Sequence, residues 1–144
     1  MRLSERLVIE APPERVWAVA SDIPRGAEWM PDVAWIRPAG GGPGVGARFE
    51  VKTRVLGVPA TTDLIEVTAW EPPHRLAVRH LGWVKGSGEW RLRPSLDGRR
   101  TLLEWDEELR MPPPVLGELG LRVYAPVQRA MLRRSMRNLA RLVV

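Results

Sequence analysis

Two histidines, His74 and His80, are the side chains whose charge changes most readily near neutral pH. The chain has no cysteine, which excludes thiol nucleophiles, disulfides and thiolate metal sites. Two histidines outside any ligand-type spacing are too few for a histidine-based centre, so no metal is predicted. Ser87 lies between two glycines but not in the G-x-S-x-G arrangement of hydrolases. General acid/base chemistry is the kind of catalysis that remains.

His80 is the better candidate for such chemistry, because His74 follows Pro72 and Pro73 in a turn, where exposure is expected. Asp63 and Glu107 lie in two other predicted strands. A carboxylate beside a histidine raises the imidazole pKa and favours proton transfer. If the protein is an enzyme, we expect His80 with Asp63 or Glu107 to be catalytic. At an open end of the sheet, the same three side chains would simply be solvated.

The length and composition are those of an ordinary globular protein with one core. The 144 residues are 44% hydrophobic and 27% charged, which predicts a single domain over residues 1–144. No apolar run approaches the ~20 residues needed to cross a bilayer, and no signal-peptide pattern opens the chain. We therefore expect a cytoplasmic protein without a transmembrane segment. The net charge of +5 comes mostly from arginine, which favours a compositional bias over nucleic-acid binding.

Alternation of apolar and polar residues predicts most of the chain to be antiparallel sheet. The predicted strands cover residues 3–9, 48–55, 61–70, 75–80, 87–93 and 100–109. Proline at the start of residues 13–21 favours a short helix there, and residues 27–30 have room for one helical turn. From Pro114 onward the apolar spacing is helical. Its first part places Leu116, Leu119, Val123 and Val127 on one face.

This order of elements, with several short motifs, resembles the START-like helix-grip fold of the SRPBCC superfamily. Within it, the chain resembles the polyketide cyclase/dehydrase and lipid-transport group over nearly its whole length. The motifs are residues 9–17, Asp22 followed by 28–31, residues 70–76, and residues 89–92 followed by 97–101. The resemblance implies an α+β protein in which a curved antiparallel sheet of about seven strands wraps a long C-terminal helix. Two short helices would follow strand 1.

The resemblance also implies a cavity between the sheet and the C-terminal helix. The strand alternation then assigns its lining, which is mostly apolar or aromatic and suits a ligand held chiefly by burial. The same residue types are also those of an ordinary core. The candidate ligand-binding residues are Trp29, Met30, Phe49, Val51, Thr61, Ile65, Val78, Trp90, Leu92, Leu103, Trp105, Leu119, Val123 and Val127.

Three functions remain open at this point. The first is a carrier or binding module for a lipid, polyketide or aromatic compound. The second is a cyclase or dehydratase of polyketide type that acts through His80 with Asp63 or Glu107. The third is an interaction module that uses its outer surface. The expected partner is a small hydrophobic molecule without a cofactor. Nucleic acid is not expected, because the aromatic residues fall mainly on inner strand faces and the arginines on outer ones. A homodimer stays open.

Overall fold

A computed structural model describes residues 1–144 and contains seven strands and two α-helices. A 3₁₀ helix, Ile23–Glu28, follows the first α-helix. The strands are β1 Arg2–Ile9, β2 Val33–Pro38, β3 Arg48–Val55, β4 Val58–Glu71, β5 Arg75–Leu81, β6 Lys85–Pro94 and β7 Thr101–Arg110. The α-helices are α1 Pro13–Ala20 and α2 Pro114–Val143.

The strands form one antiparallel sheet in the order β1-β7-β6-β5-β4-β3-β2. From β2 to β7 each strand pairs with its neighbour in sequence, and β1 closes the order beside β7. The long helix α2 packs on the inner face of this curved sheet and contacts β1, β7 and α1. This is the predicted α+β helix-grip architecture, with two short helices after β1. The Asp97-Gly98 turn joins β6 to β7, as its hairpin sequence predicts.

Strand β2 was not assigned from the sequence, and a break in its alternation is the reason. Val33 pairs with Thr53, whereas Ile36 pairs with Val51, because the register shifts between Val33 and Trp35. Val33 and Ile36 are therefore both buried although they lie three residues apart. A strand with this spacing does not show the period of two on which sequence assignment depends.

The helix α2 is continuous through Pro126 and has 30 residues, which corresponds to a length of about 45 Å. Its C-terminal half supplies Leu132, Met136 and Leu139 to the main hydrophobic core, which also contains Ile9 of β1. An ion pair of 3.1 Å between Arg133 Nε and Glu5 Oε2 also ties the helix to β1. Neither α2 nor α1 is both long and apolar enough to cross a membrane.

Candidate functional site

A cavity of about 380 Å³ lies between the inner face of the sheet and the N-terminal half of α2. Of the 32 residues that line it, 21 are hydrophobic. Its volume lies within the range of pockets that hold small organic molecules, roughly 300–1,000 Å³. The few polar groups in the lining therefore determine which chemistry the cavity can perform or recognise.

His80 and Glu107 meet inside this cavity across an intervening strand. The imidazole Nε2 of His80 on β5 lies 3.2 Å from Glu107 Oε2 on β7. Strands two apart in a sheet are separated by about 9–10 Å, so such a contact needs open space over the strand between them. On β6 that space is provided by Gly88, which pairs with Glu107 and where an added Cβ would lie 3.0 Å from Glu107 Oε1. The absence of a side chain at residue 88 therefore leaves room for the pair.

Glu107 is held in place from a second side. The indole Nε1 of Trp105, two residues earlier on β7, donates to Glu107 Oε1 over 3.0 Å. Each carboxylate oxygen of Glu107 thus has its own partner, one on an indole and one on an imidazole. Glu107 is buried, and a buried carboxylate requires such partners because leaving it unpaired would cost several kcal/mol.

The surroundings of His80 act on its pKa in opposite directions. Burial lowers the pKa of the imidazole because it disfavours the charged form. The hydrogen bond to Glu107, together with the negative charges of Glu107 and Asp63, outweighs that effect and raises the pKa of His80 above its ordinary value. An imidazole in this setting can bind a proton and release it near neutral pH, as a general acid or base must.

Asp63 lies close enough to act on His80 by charge but is bonded to other groups. Thr61 Oγ1 donates to Asp63 Oδ2 over 2.8 Å, and the backbone N–H of Trp83 donates to Oδ1 over 3.1 Å. Trp83 is 57% exposed and lines the outer part of the cavity. Asp63 therefore fastens the β5–β6 turn to β4 near the cavity mouth.

Three tryptophans form an aromatic wall of the cavity, and one of them, Trp105, is bonded to Glu107. The rings of Trp29, Trp90 and Trp105 pack against one another with centroids 5.3 to 6.0 Å apart at steep angles. Edge-to-face packing of this kind adds stability beyond the burial of area. Trp29 is 1% exposed, and its carbonyl accepts a hydrogen bond of 3.1 Å from Asn138 Nδ2 on α2. The wall is therefore anchored both to the sheet and to α2.

The structure places eight of the fourteen predicted ligand-binding residues in the cavity lining, together with the three predicted catalytic residues. Those eight are Trp29, Met30, Val51, Thr61, Ile65, Val78, Trp90 and Trp105. The inner face of the sheet extends beyond the cavity, so facing inward does not by itself place a residue there. Leu92 and Leu103 are buried in the main core beneath α2. Phe49 packs on a second apolar cluster and borders a separate surface groove.

The prediction of which face of the C-terminal helix lines the cavity is wrong. Leu119 and Val123 are 58% and 74% exposed, and Val127 does not line the cavity. The helix instead presents Leu121, Tyr124, Gln128 and Leu132 to the cavity. These four positions have the helical spacing of three or four residues, but two of them are polar. Apolar periodicity therefore selected a face that the fold leaves in solvent.

Asp32 is a cavity residue that the sequence reasoning missed. It lies just before β2. Burial is the largest cause that raises the pKa of its carboxyl, and the negative charge of Glu107 raises it further. Tyr124 on α2 is a second one, and burial and the charge of Asp32 raise the pKa of its phenol. No periodic pattern marks Asp32, which follows Pro31 in a connecting segment.

No acidic or histidine cluster of the chain is arranged to hold a metal ion.

Three known structures illustrate how widely this fold is shared. TTHA0849 from Thermus thermophilus has a TM-score of 0.83 at 19% identity, covering 99% of this chain and 97% of that one. The ZhuI aromatase/cyclase from Streptomyces sp. R1128 has a TM-score of 0.75 at 23% identity, covering 100% and 96%. The di-domain aromatase/cyclase BexL of the BE-7585A biosynthetic pathway has a TM-score of 0.72 at 16% identity, covering 99% and 50%.

These identities lie below 25%, so the three structures establish a common fold and no common chemistry. No protein of curated function matches the sequence. The family model described as polyketide cyclase / dehydrase and lipid transport, in contrast, matches residues 1–144. With the helix-grip sheet, its long C-terminal helix and the cavity between them, this match over the whole length means that the chain belongs to the polyketide cyclase / dehydrase and lipid transport family.

Proposed function

We propose that this protein binds a small, largely apolar molecule in the cavity between the sheet and α2 and releases it unchanged. The observation that carries the proposal is the cavity itself, about 380 Å³ in volume and lined by 21 hydrophobic residues. Apolar surface removed from water contributes about 25 cal/mol per Å², so a ligand enclosed here would be held mainly by burial. The family description, which includes lipid transport, supports this proposal.

The first experiment identifies what the protein carries. Native mass spectrometry of freshly purified protein, followed by extraction of any retained small molecule, would detect an apolar ligand. Recovery of one unaltered compound from protein incubated with it supports a carrier. Recovery of a changed compound supports an enzyme instead.

A matched pair of variants then locates the binding site. Val78→Trp adds bulk inside the cavity lining, whereas Leu119→Trp adds the same side chain on the exposed face of α2. We expect Val78→Trp to abolish saturable displacement of a bound fluorescent apolar probe and Leu119→Trp to retain it. Equal affinity in both variants would contradict binding in this cavity. An interaction module that acts through its outer surface would retain its function in Val78→Trp.

The second candidate function is a cyclase or dehydratase activity in the same cavity, and the bonded His80–Glu107 pair is the observation that favours it. Neutral His80 would take a proton from a carbon beside a carbonyl group. The imidazolium, stabilised by Glu107, would return that proton to the departing hydroxyl, so that one water molecule leaves and a carbon–carbon double bond forms. Asp63, predicted as an alternative partner, would support the imidazolium by charge alone.

His80→Gln tests this candidate, because glutamine keeps polarity but cannot take up a proton near pH 7. If turnover of a polyketide-like substrate is found, we expect His80→Gln to lower kcat by ~10²-fold or more with little change in binding. His74→Gln is the control, because His74 is exposed in the β4–β5 turn. Unchanged turnover in His80→Gln would remove His80 from the mechanism.

The cytoplasmic location, the single domain and the homodimer stay predictions.

A further inference from the structure

We propose that the cavity discriminates among apolar molecules by their polar end, accepting those that donate hydrogen bonds and rejecting carboxylates. The favoured class is a neutral alcohol or phenol with an apolar body; the rejected class is an ionised acid of the same size, such as a fatty acid. This inference rests on the proposed function of ligand binding and narrows its ligand class.

The charge of the cavity lining is the first step. Asp32, Asp63 and Glu107 approach the cavity from three different elements of the fold. The cationic groups that face them are Arg54 and His80. The N-terminal ammonium of Met1 also borders the cavity, but it is paired with Glu118 at 3.2 Å. Carboxylates therefore outnumber the cations available to a ligand.

The negative groups of the lining act on one another's pKa values in the same direction. The negative charge of Glu107 helps to raise the pKa of Asp32, and the charge of Asp32 helps to raise the pKa of Tyr124. A ligand carboxylate placed among them would add another negative charge to a mostly apolar lining. Like charges in such surroundings repel strongly, and one of them must be protonated or leave.

Hydrogen-bond capacity leads to the same conclusion. Each oxygen of Glu107 and Asp63 receives one hydrogen bond from protein, which leaves lone pairs free on all four atoms. The Asp32 carboxylate receives no hydrogen bond from another side chain. A hydroxyl on the ligand can donate to any of these oxygens. An ionised carboxylate has no proton to donate and would leave those remaining lone pairs without a donor.

Arg54 is the group that could favour the opposite outcome, and its geometry limits that role. Its side chain lines the cavity, and its Nη1 donates to the Val33 carbonyl at 3.4 Å. Its backbone N–H donates to the carbonyl of Asp32 over 2.6 Å, so the two residues are held side by side on one wall of the cavity. One nitrogen of the guanidinium, Nη1, is therefore already engaged by the backbone before any ligand enters.

The experiment compares probes that share one apolar body and differ in the polar end. Binding of 1-naphthol and 1-naphthoate, and of decanol and decanoate, would be measured by calorimetry or probe displacement at pH 7.5 and concentrations below micelle formation. We expect each hydroxyl compound to bind at least ~10-fold more tightly than its acid, as expected for the burial of an unpaired charge. The Asp32→Asn and Glu107→Gln variants should reduce this preference, whereas Glu108→Gln, on the exposed neighbour of Glu107, should leave it unchanged.

Acids that bind as tightly as their hydroxyl partners would overturn the inference while leaving the proposed function intact. A preference that is equally large in Asp32→Asn, Glu107→Gln and wild type would also overturn it, because these carboxylates would then not be its cause. Failure of all four probes to bind would contradict the proposed function itself.

Discussion

His80 on β5 reaches Glu107 on β7 over β6, with Nε2 and Oε2 separated by 3.2 Å, because the β6 residue paired with Glu107 is Gly88, which has no side chain to fill the space. A polar pair is thereby formed inside a mostly apolar cavity from two residues that both lie on strands of the sheet. The pair combines a group that titrates near neutral pH with a buried partner that favours its charged form.

Glu107→Gln should lower the pKa of His80, since the carboxylate that favours the imidazolium is lost. Nuclear magnetic resonance titration measures this directly, and a His74→Gln background leaves His80 as the one histidine signal. Because the folded-state pKa of His80 is raised, its stabilising contribution is present below the unfolded pKa and is lost as pH rises through the folded pKa. The variant should therefore lose more stability, relative to wild type, at pH 5.5 than at pH 9. A loss that does not depend on pH would contradict the coupling.

Gly88→Ala should separate His80 from Glu107. A Cβ atom at residue 88 would lie 3.0 Å from Glu107 Oε1 and 3.3 Å from Oε2, so the carboxylate must move. We expect a lower pKa for His80 and a stability loss of about 1–3 kcal/mol from overpacking. Gly42→Ala is the matched control, because nothing lies within 4 Å of its added Cβ. If His80 titrates identically in Gly88→Ala and wild type, the glycine is not what keeps the pair together.

The orientation of α2 can be tested by two truncations on opposite faces. Leu121 is 6% exposed and lines the cavity, whereas Val123 is the exposed neighbour that the sequence pattern had placed inside. Leu121→Ala should lower the free energy of unfolding by about 2–4 kcal/mol, and Val123→Ala should change it by less than about 0.5 kcal/mol. Urea denaturation measures both. Comparable losses would mean that α2 is rotated relative to this description.

Asp32→Asn should stabilise the protein at neutral pH. The folded-state pKa of Asp32 is raised, so ionised Asp32 opposes folding once the pH rises through that value, and below the unfolded pKa the penalty is absent. Asparagine cannot ionise, so we expect a gain of about 0.5–2 kcal/mol at pH 7 that fades toward pH 3. Thermal unfolding across this range is the measurement.

Asp97→Asn provides a control of opposite sign. Hydrogen bonds from the Ser95 hydroxyl and the Arg99 backbone lower the pKa of Asp97, so its contribution to stability is present above the unfolded pKa and is lost as pH falls through the folded one. Its replacement should destabilise the protein at pH 7. If Asp32→Asn also destabilises the protein at pH 7, the ionised Asp32 carboxylate stabilises the folded state, and the expected cost of burying it is contradicted.

The inward direction of several strand residues could be predicted because alternation is a local property of the chain, whereas the helix-grip fold was predicted from the resemblance of short motifs to a known family. Trp105 and Glu107 share a strand face whatever lies above it, and the same holds for Asp63 and Ile65. Strand β2 escaped this reasoning because its register shift destroys the alternation at Val33. Asp32 escaped it because connecting segments carry no period at all.

The sequence by itself therefore determined the strands other than β2 and the presence of His80, Asp63 and Glu107 on inner strand faces, and its motifs indicated the helix-grip architecture by resemblance. Only the tertiary structure decided that His80 is bonded to Glu107 while Asp63 is bonded to Thr61 and Trp83. It also decided which face of α2 meets the cavity. The physical reason is that contacts between strands, and the rotation of a helix above them, depend on how complementary surfaces pack in three dimensions. The local sequence around each residue does not determine that packing.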